Sequence, residues 1–319
     1  MRTICLNQGP FQLSESVATI GVFDGVHAGH QLLIRMVREE ARSRGLCPMV
    51  ITFDRQPRQV LDPTFHPQVL TTLEEKEAII ASLGVETLVV LPFTKELAAL
   101  TARDFMQQVL RQQLQVQTLI TGYDNRFGRN RAEGFDDYVR YGQELGMQVL
   151  RLRNLSREMG YELELIDKVR IDGEEISSTR VRNQVADGNM PMVKRLLGYN
   201  YCVCGYVEHG RHIGHTIGVP TVNLLPPPGK LLPPYGVYSS RVHMDGKSYD
   251  GMTNIGRKPT ISDKERVGAE TYIYDFDGDA YGKLIKVELI RFVRPEMKFD
   301  SIDALKAQIK SDLVSARES

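Results

Sequence analysis

Three features of the 319-residue chain predict an α/β protein in two unlike parts, a mostly parallel sheet domain followed by a compact antiparallel β-barrel with a C-terminal helix. In the first half, apolar runs alternate with segments of helical periodicity, the pattern of strands joined by crossover helices. After about residue 200, short β-type runs separated by Gly, Pro and Asp follow one another without a long helix. A last stretch carries Ile302, Leu305, Ile309 and Leu313 on one helical stripe.

Residues 17–23 read as a strand and 30–44 as a helix, with Leu32, Leu33, Met36, Val37 and Ala41 at helical spacing. Residues 48–53 are the next strand. Thr72-Leu73-Glu74-Glu75 has capping-box form and opens a helix toward Leu83, with Gly84 as its stop. Strand 85–91, helix 101–114 and a strand from 118–121 follow, then a glycine-rich loop, helix 138–145 and strand 147–152. Ligands of such a sheet sit at the carboxyl ends of its strands. In the second half, 201–206, 219–224, 237–242, 271–276 and 285–292 read as strands and 301–314 as the closing helix. Pro226-Pro227-Pro228-Gly229 and Pro233-Pro234 punctuate them rigidly. A polar join near 185–200, with Gly188 and Pro191, divides the chain into domains 1–185 and 186–319.

Composition narrows the function classes. With 42% hydrophobic and 25% charged residues the chain reads as globular and soluble, and the start of the sequence shows no signal-peptide pattern. Lys+Arg and Asp+Glu both number 40, so no basic field points to nucleic acid, and no apolar stretch is long enough to span a bilayer. Four cysteines are too few for a disulfide scaffold; thiols in a reducing cytoplasm are the expectation. Small molecules are the expected partners, with the chain a monomer or weak homo-oligomer.

Chemistry concentrates in a few segments. Gly21-Val22-Phe23-Asp24-Gly25-Val26-His27-Ala28-Gly29-His30 is an apolar run ending in a glycine-punctuated turn before a helix, with two imidazoles where the helix begins. A helix start offers unpaired N–H groups, and glycines let the backbone approach an anion closely, so the turn suits phosphate; alternatively the histidines are exposed or cap the helix. Thr52-Phe53-Asp54 ends a strand, where a substrate-facing loop belongs. The loop from Gly122-Tyr123-Asp124-Asn125-Arg126-Phe127 to Arg131 mixes glycine, arginine and aromatics, suited to phosphate and a flat ring, or simply to solvent. Ile176-Ser177-Ser178-Thr179-Arg180 sets hydroxyls ahead of a helix and an arginine in its first turn, for phosphate binding, N-capping or both. Asp275-Phe276-Asp277-Gly278-Asp279 lacks the later glutamate of a calcium loop and reads as a hairpin turn.

These segments together resemble the adenylyltransferase half of bifunctional riboflavin kinase/FAD synthetase, a Rossmann-like member of the nucleotidyltransferases with a His-x-x-His phosphate signature. The resemblance implies ATP binding by Gly21, Phe23, Asp24, Gly25, His27 and His30, with Ser178, Thr179 and Arg180 gripping phosphate from the opposite side. Phe53, Asp54, Asp124 and Arg126 would line the flavin and nucleotide site. The second half resembles the riboflavin kinase module through Gly205-Tyr206-Val207, Gly218-Val219-Pro220-Thr221-Val222-Asn223, Asn254-Ile255-Gly256 and Glu270-Thr271-Tyr272. There Glu270 would accept the ribityl 5′-hydroxyl proton, Thr221 and Asn223 would hold Mg²⁺, Gly214 and Gly218 would meet ATP, and Asn254 the flavin. His27, His30, Arg180 and Glu270 are thus the expected catalytic set.

The implied function is phosphorylation of riboflavin by ATP to FMN, then adenylyl transfer from ATP giving FAD and pyrophosphate. Two other readings compete. A flavin-binding regulatory homologue with one activity lost predicts decay at the signature residues, which are all intact. An adenylyltransferase for another phosphorylated substrate leaves the barrel unexplained. The chain departs from the family pattern at Asn125, where many relatives have an aromatic, in an extra residue between Arg131 and Gly134, and at Ile213-Gly214-His215, where relatives often have Arg-Gly-Arg.

Overall fold

A computed structural model describes residues 1–6, 12–62, 64–66, 68–122, 125–152, 170–208, 220–258 and 266–317. By its internal contacts the chain divides into two units, Met1–Pro67 with Thr71–Ser177, and Gln68–Leu70 with Ser178–Ser319.

In the first unit, β1 (Arg2–Cys5), β2 (Ser16–Ile20), β3 (Cys47–Phe53), β4 (Thr87–Leu91), β5 (Val116–Thr121) and β6 (Gln148–Arg151) form one parallel sheet. Its order is β1-β4-β3-β2-β5-β6. Helix α1 (Ala28–Arg44) follows β2, and α2 (Pro57–Leu61) and α3 (Leu73–Ser82) lie between β3 and β4. After β4 come α4 (Lys95–Ala99) and α5 (Ala102–Phe105), the latter prolonged by a π-wound segment, Met106–Gln113. Helix α6 (Phe135–Leu145) precedes β6.

Alternating strand residues serve opposite faces. Val17, Val50, Leu88, Val90 and Ile120 pack with Leu33, Ile34, Met36 and Val37 of α1 and Ile80 of α3. Ala18, Ile20, Met49, Ile51, Val89 and Leu91 pack with Phe105, Met106, Val109, Leu110 and Tyr138. Burial on both faces is why these strands read as continuous apolar runs. Strand order reverses between β2 and β5, and the crevice beyond their carboxyl ends is the ligand position of this fold.

Thr72 caps α3 as the sequence predicts: Glu75 N–H donates to Thr72 Oγ1 (3.2 Å) and Thr72 N–H to Glu75 Oε2 (3.0 Å). Other expectations shift. The strand expected over 17–23 stops at Ile20, because Phe23 and Val26 take positive φ (49° and 36°) that no strand tolerates. Helix 101–114 is α-wound only to Phe105.

The second unit opens with α7 (Ser178–Ala186) and α8 (Met190–Leu197). The stretch expected as a polar join therefore holds a helix, capped by Asn189, whose Oδ1 accepts from Met192 N–H, and burying Met190, Val193, Leu196 and Leu197. A two-stranded ribbon, β7 (Arg170–Ile171) and β8 (Glu174–Glu175), precedes α7 in the chain and belongs to the first unit. The barrel strands are β9 (Tyr201–Glu208), β10 (Thr221–Leu224), β11 (Gly236–Met244), β12 (Lys247–Lys258), β13 (Arg266–Ile273) and β14 (Leu284–Pro295). They close in the order β10-β13-β12-β11-β14-β9, antiparallel throughout.

Strand β12 is absent from the sequence reading, masked by its glycines and polar residues. Gly251 is there because a Cβ would come within 3.0 Å of Ser240 Oγ and of the Tyr272 carbonyl, where neighbouring strands crowd. Asp245 and Gly246 (φ 51° and 74°) make the two-residue turn joining β11 to β12. The Asp275–Asp279 segment corrects another expectation: β13 and β14 pair with other strands, so it crosses the barrel and is not a hairpin turn. Helix α9 (Ile302–Arg317) closes the chain, with Ile309, Leu313 and Ala316 against Val237, Met252, Tyr272 and Tyr274. Arg294 of β14 donates from Nε and Nη2 to the Asp312 carboxylate (2.9 and 2.6 Å), and Tyr274 OH donates to the Leu313 carbonyl.

Candidate active sites

The first site is the turn between β2 and α1. Gly25 takes φ 78°, a left-handed conformation that favours glycine, between Phe23 and Val26, which take it at a cost. Segment 71–76 holds this turn. Gly25 N–H donates to Thr71 Oγ1 (3.0 Å), and Thr71 N–H donates to Asp24 Oδ1 (3.2 Å). Asp24 is buried, so it serves the turn's architecture. On the other side, Lys76 Nζ donates to the Val22 carbonyl (2.7 Å) and to Thr52 Oγ1 (3.2 Å).

His27 is the N-cap of α1: its Nδ1 accepts the His30 N–H (3.4 Å), so the proton of the neutral ring sits on Nε2. The two rings stack 3.6 Å apart, and Phe23 meets His30 edge-on at 5.2 Å. Burial pushes the His27 pKa from 6.5 to about 4. His30 is held well below the usual range by burial, then by repulsion from His27 and Lys76. At neutral pH both rings are uncharged, each with one N–H to give. The cap is compatible with the phosphate-binding reading of this motif, since a cap formed through Nδ1 leaves Nε2–H as a donor.

Along the same carboxyl edge, Phe53 packs T-shaped on Phe93 (5.3 Å), and Asp54 Oδ1 accepts the Phe93 N–H (2.9 Å) while Oδ2 pairs with Arg55. Asn125 Nδ2 donates to the Ile20 carbonyl (2.6 Å), tying the loop after β5 to the end of β2 at the switch in strand order. A phenyl ring offers no donor for that bond. Arg126 is exposed, and Asp124 lies outside the described residues. Phe127 stacks on buried Tyr138 (4.1 Å), whose hydroxyl donates to the Phe127 and Glu133 carbonyls.

The second site is a row across the barrel. Asn223 of β10 pairs in register with Glu270 of β13, and Glu270 with Asn254 of β12. All three are half-buried. Thr221, two residues before Asn223 and on the same face, donates from Oγ1 to Glu270 Oε1 at 2.5 Å. Its donated proton leaves the hydroxyl lone pairs available, and hydroxyl, amide oxygen and carboxylate together are the hard-oxygen donor set that suits Mg²⁺. The ATP contacts expected at Gly214 and Gly218 lie outside the described residues.

Ser178, Thr179 and Arg180 form the first turn of α7 and belong to the second unit, whereas His27 and His30 belong to the first. Sequence reasoning brought Gly21, Phe23, Asp24, Gly25, His27 and His30 to one turn, and Thr221, Asn223, Asn254 and Glu270 to one barrel face. It missed Thr71, Lys76 and Phe93. Phe93 was signalled by its place two residues after Leu91, the last residue of β4, where edge residues face ligand; nothing local distinguished Lys76 from the other charges of an amphipathic helix.

Comparison with known proteins places the chain in a family. The FAD synthetase family model matches residues 10–153 and the riboflavin kinase model residues 197–319. Bifunctional riboflavin kinase/FMN adenylyltransferase of Escherichia coli (strain K12) is 37% identical over 303 residues, covering 95% of this chain and 92% of that protein. The protein of the same description from Listeria monocytogenes is 33% identical over 319 residues, covering 98% and 96%. A crystal structure described as a macrolide-efflux protein from Streptococcus pneumoniae is 31% identical with a TM-score of 0.85, covering 99% of each chain. Among the described residues, no helix is long and apolar enough to cross a membrane. With two family models in tandem and relatives matched over nearly their full length, the chain belongs to the bifunctional riboflavin kinase/FMN adenylyltransferase family.

Proposed function

We propose that the family's two reactions divide between the two sites, with adenylyl transfer at the imidazole turn and phosphorylation at the Glu270 row. The chain is an enzyme of flavin cofactor synthesis: ATP phosphorylates riboflavin to FMN, and a second ATP adenylylates FMN to FAD with release of pyrophosphate. The observation that carries the division is that the neutral, phosphate-suited imidazole pair and the carboxylate suited to general-base work fall in different units.

In adenylyl transfer an FMN phosphate oxygen attacks the α-phosphorus of ATP and pyrophosphate leaves, so no enzyme nucleophile is needed. His27 and His30 donate Nε2–H and ring N–H bonds to the ATP phosphates, with Gly21, Phe23, Asp24 and Gly25 shaping the turn beneath them. Uncharged rings in this pocket avoid the cost of burying two cations and still polarise the phosphates. Ser178, Thr179 and Arg180 supply the second phosphate grip. This assigns α7 functionally to an adenylyltransferase domain of residues 1–185, leaving 186–319 as the kinase; the two family models leave α7 outside both. Phe53, Asp54, Asp124 and Arg126 make the flavin and nucleotide wall.

In the kinase, Glu270 accepts the proton of the ribityl 5′-hydroxyl as that oxygen takes the γ-phosphoryl group. Asn254, the next position in the row, orients the flavin. Thr221 and Asn223 would hold Mg²⁺, which when bound neutralises phosphate charge. Gly214 and Gly218 complete the ATP contacts. The balanced count of charges and the low number of cysteines, four in 319 residues, support a cytoplasmic enzyme that acts on small molecules alone, as a monomer or weak homo-oligomer, without nucleic acid.

Product analysis with ATP, Mg²⁺ and either flavin tests the division. His30→Ala accumulates FMN from riboflavin without FAD, and Glu270→Gln makes no FMN from riboflavin yet converts supplied FMN to FAD. Loss of both reactions in both variants, with the fold intact, would refute it.

A further inference from the structure

We propose that Lys76 is a positioning residue for adenylyl transfer: its buried ammonium clamps the Val22 carbonyl and so holds the strained turn that seats His27 and His30. The inference rests on the reading that this histidine pair serves the adenylyl step.

Lysine is among the residues least often buried, and an ammonium taken out of water must be repaid by good acceptors. Lys76 is 6% exposed. Its acceptors are neutral oxygens, the Val22 carbonyl at 2.7 Å and Thr52 Oγ1 at 3.2 Å. Thr52 Oγ1 donates in turn to the same carbonyl at 3.3 Å. Helix α3 has no folding need for an ammonium at this position, because its capping box uses Thr72 and Glu75 and its apolar anchor is Ile80. The placement is explained by what Val22 precedes. Phe23 and Val26 hold positive φ, a strained conformation for residues that carry a Cβ, which persists only where the surroundings dictate it. Thr71 fixes the far side of the turn through Gly25 and Asp24, and Lys76 fixes the near side. His27 caps α1 immediately after this turn, so any relaxation of residues 22–26 moves both imidazoles.

The charged and titratable groups that face Lys76 are Asp24 from the turn, Glu77 from its own helix and His30 from α1, with His27 stacked on His30. Burial lowers the Lys76 pKa to about 8, against the pull of Asp24 and Glu77, so the group is still cationic at neutral pH. A cation there also repels protonation of His30 and helps keep it a neutral donor.

The test uses the full chain, whose riboflavin kinase reaction is an internal control. Lys76→Met should lower the kcat of FMN-to-FAD conversion about a hundredfold, the scale of an ångström-sized misplacement, and leave riboflavin phosphorylation within about twofold. Lys76→Arg, which restores a cationic donor, should recover part of that loss. In NMR titrations the His30 pKa should rise in Lys76→Met and return toward its original position in Lys76→Arg. Full FAD synthesis in Lys76→Met overturns the proposal. So does an inactive, folded Lys76→Arg with unshifted histidine titrations, which would mean that the lysine contacts substrate. Should Lys76→Met fail to fold, Thr52→Val removes one acceptor and keeps the lysine; a partial loss confined to FAD synthesis is expected, and no loss overturns the proposal. His30→Ala run beside these variants separates the two ideas: if it retains FAD synthesis, the underlying reading of the histidine pair has failed.

Discussion

Replacing His27 by asparagine isolates the cost of burying an imidazole at this turn. Asparagine is a good N-cap, and its side-chain oxygen can accept the His30 N–H as Nδ1 does now, so the helix start survives while the titration is removed. In the folded chain burial depresses the His27 pKa from 6.5 to about 4. Between those values the unfolded chain binds a proton that the folded chain refuses. Stability attributable to His27 is therefore undiminished above pH 6.5, falls as pH drops through the window, and reaches its full loss below about 4. At about 1.4 kcal/mol per pH unit the whole depression is worth about 3 kcal/mol. The assay is urea unfolding from about pH 7 to about pH 4, read through amide exchange in α1 so that the first unit is followed by itself. His27→Asn should gain about 3 kcal/mol relative to the unaltered chain across that range, by the same linkage. Parallel stability curves would show that His27 titrates normally, and the neutral-donor account of the site would fall with it.

Two further outcomes follow from the same geometry. Gly25→Ala places a Cβ on a residue at φ 78°, costing about 1 kcal/mol, and should depress FAD formation more than FMN formation when both products are timed. Arg294→Ala removes the cationic partner of buried Asp312 (3% exposed) and leaves it only the amide of Gln308, costing about 3 kcal/mol; amide exchange should rise across α9 and leave β2 and β3 unchanged.

Legibility varied with how local the cause was. The α3 capping box was plain because both reciprocal bonds involve side chains three residues apart in sequence. The two-faced sheet was plain because burial on both sides leaves unbroken apolar runs, as in 49–51 and 88–91. Strand β12 was hidden because its pattern answers to neighbours: Gly251 exists for Ser240 and Tyr272, which are remote in sequence. Its one local signal was the Asp245-Gly246 turn after an apolar strand. The π-winding of 106–113 left no trace in residue spacing. For the sites, glycine and histidine types announced the phosphate turn, whereas the groups that hold it, Thr71 and Lys76, are ordinary residues whose meaning comes from contacts some 46 to 54 positions away.

The row of Asn223, Glu270 and Asn254 has a consequence for durability. Adjacent strands lie about 4.8 Å apart, so the two amides flank the carboxylate at spacings set by the backbone ladder rather than by loop conformation. Strand slippage would be by whole residues, and a one-residue slip would turn the row inward. A closed barrel has no free edge along which such slippage can begin. The donor spacing can therefore fail only when the barrel itself opens. On heating, phosphorylation of riboflavin should keep its catalytic geometry up to the cooperative loss of the second unit and then disappear with it.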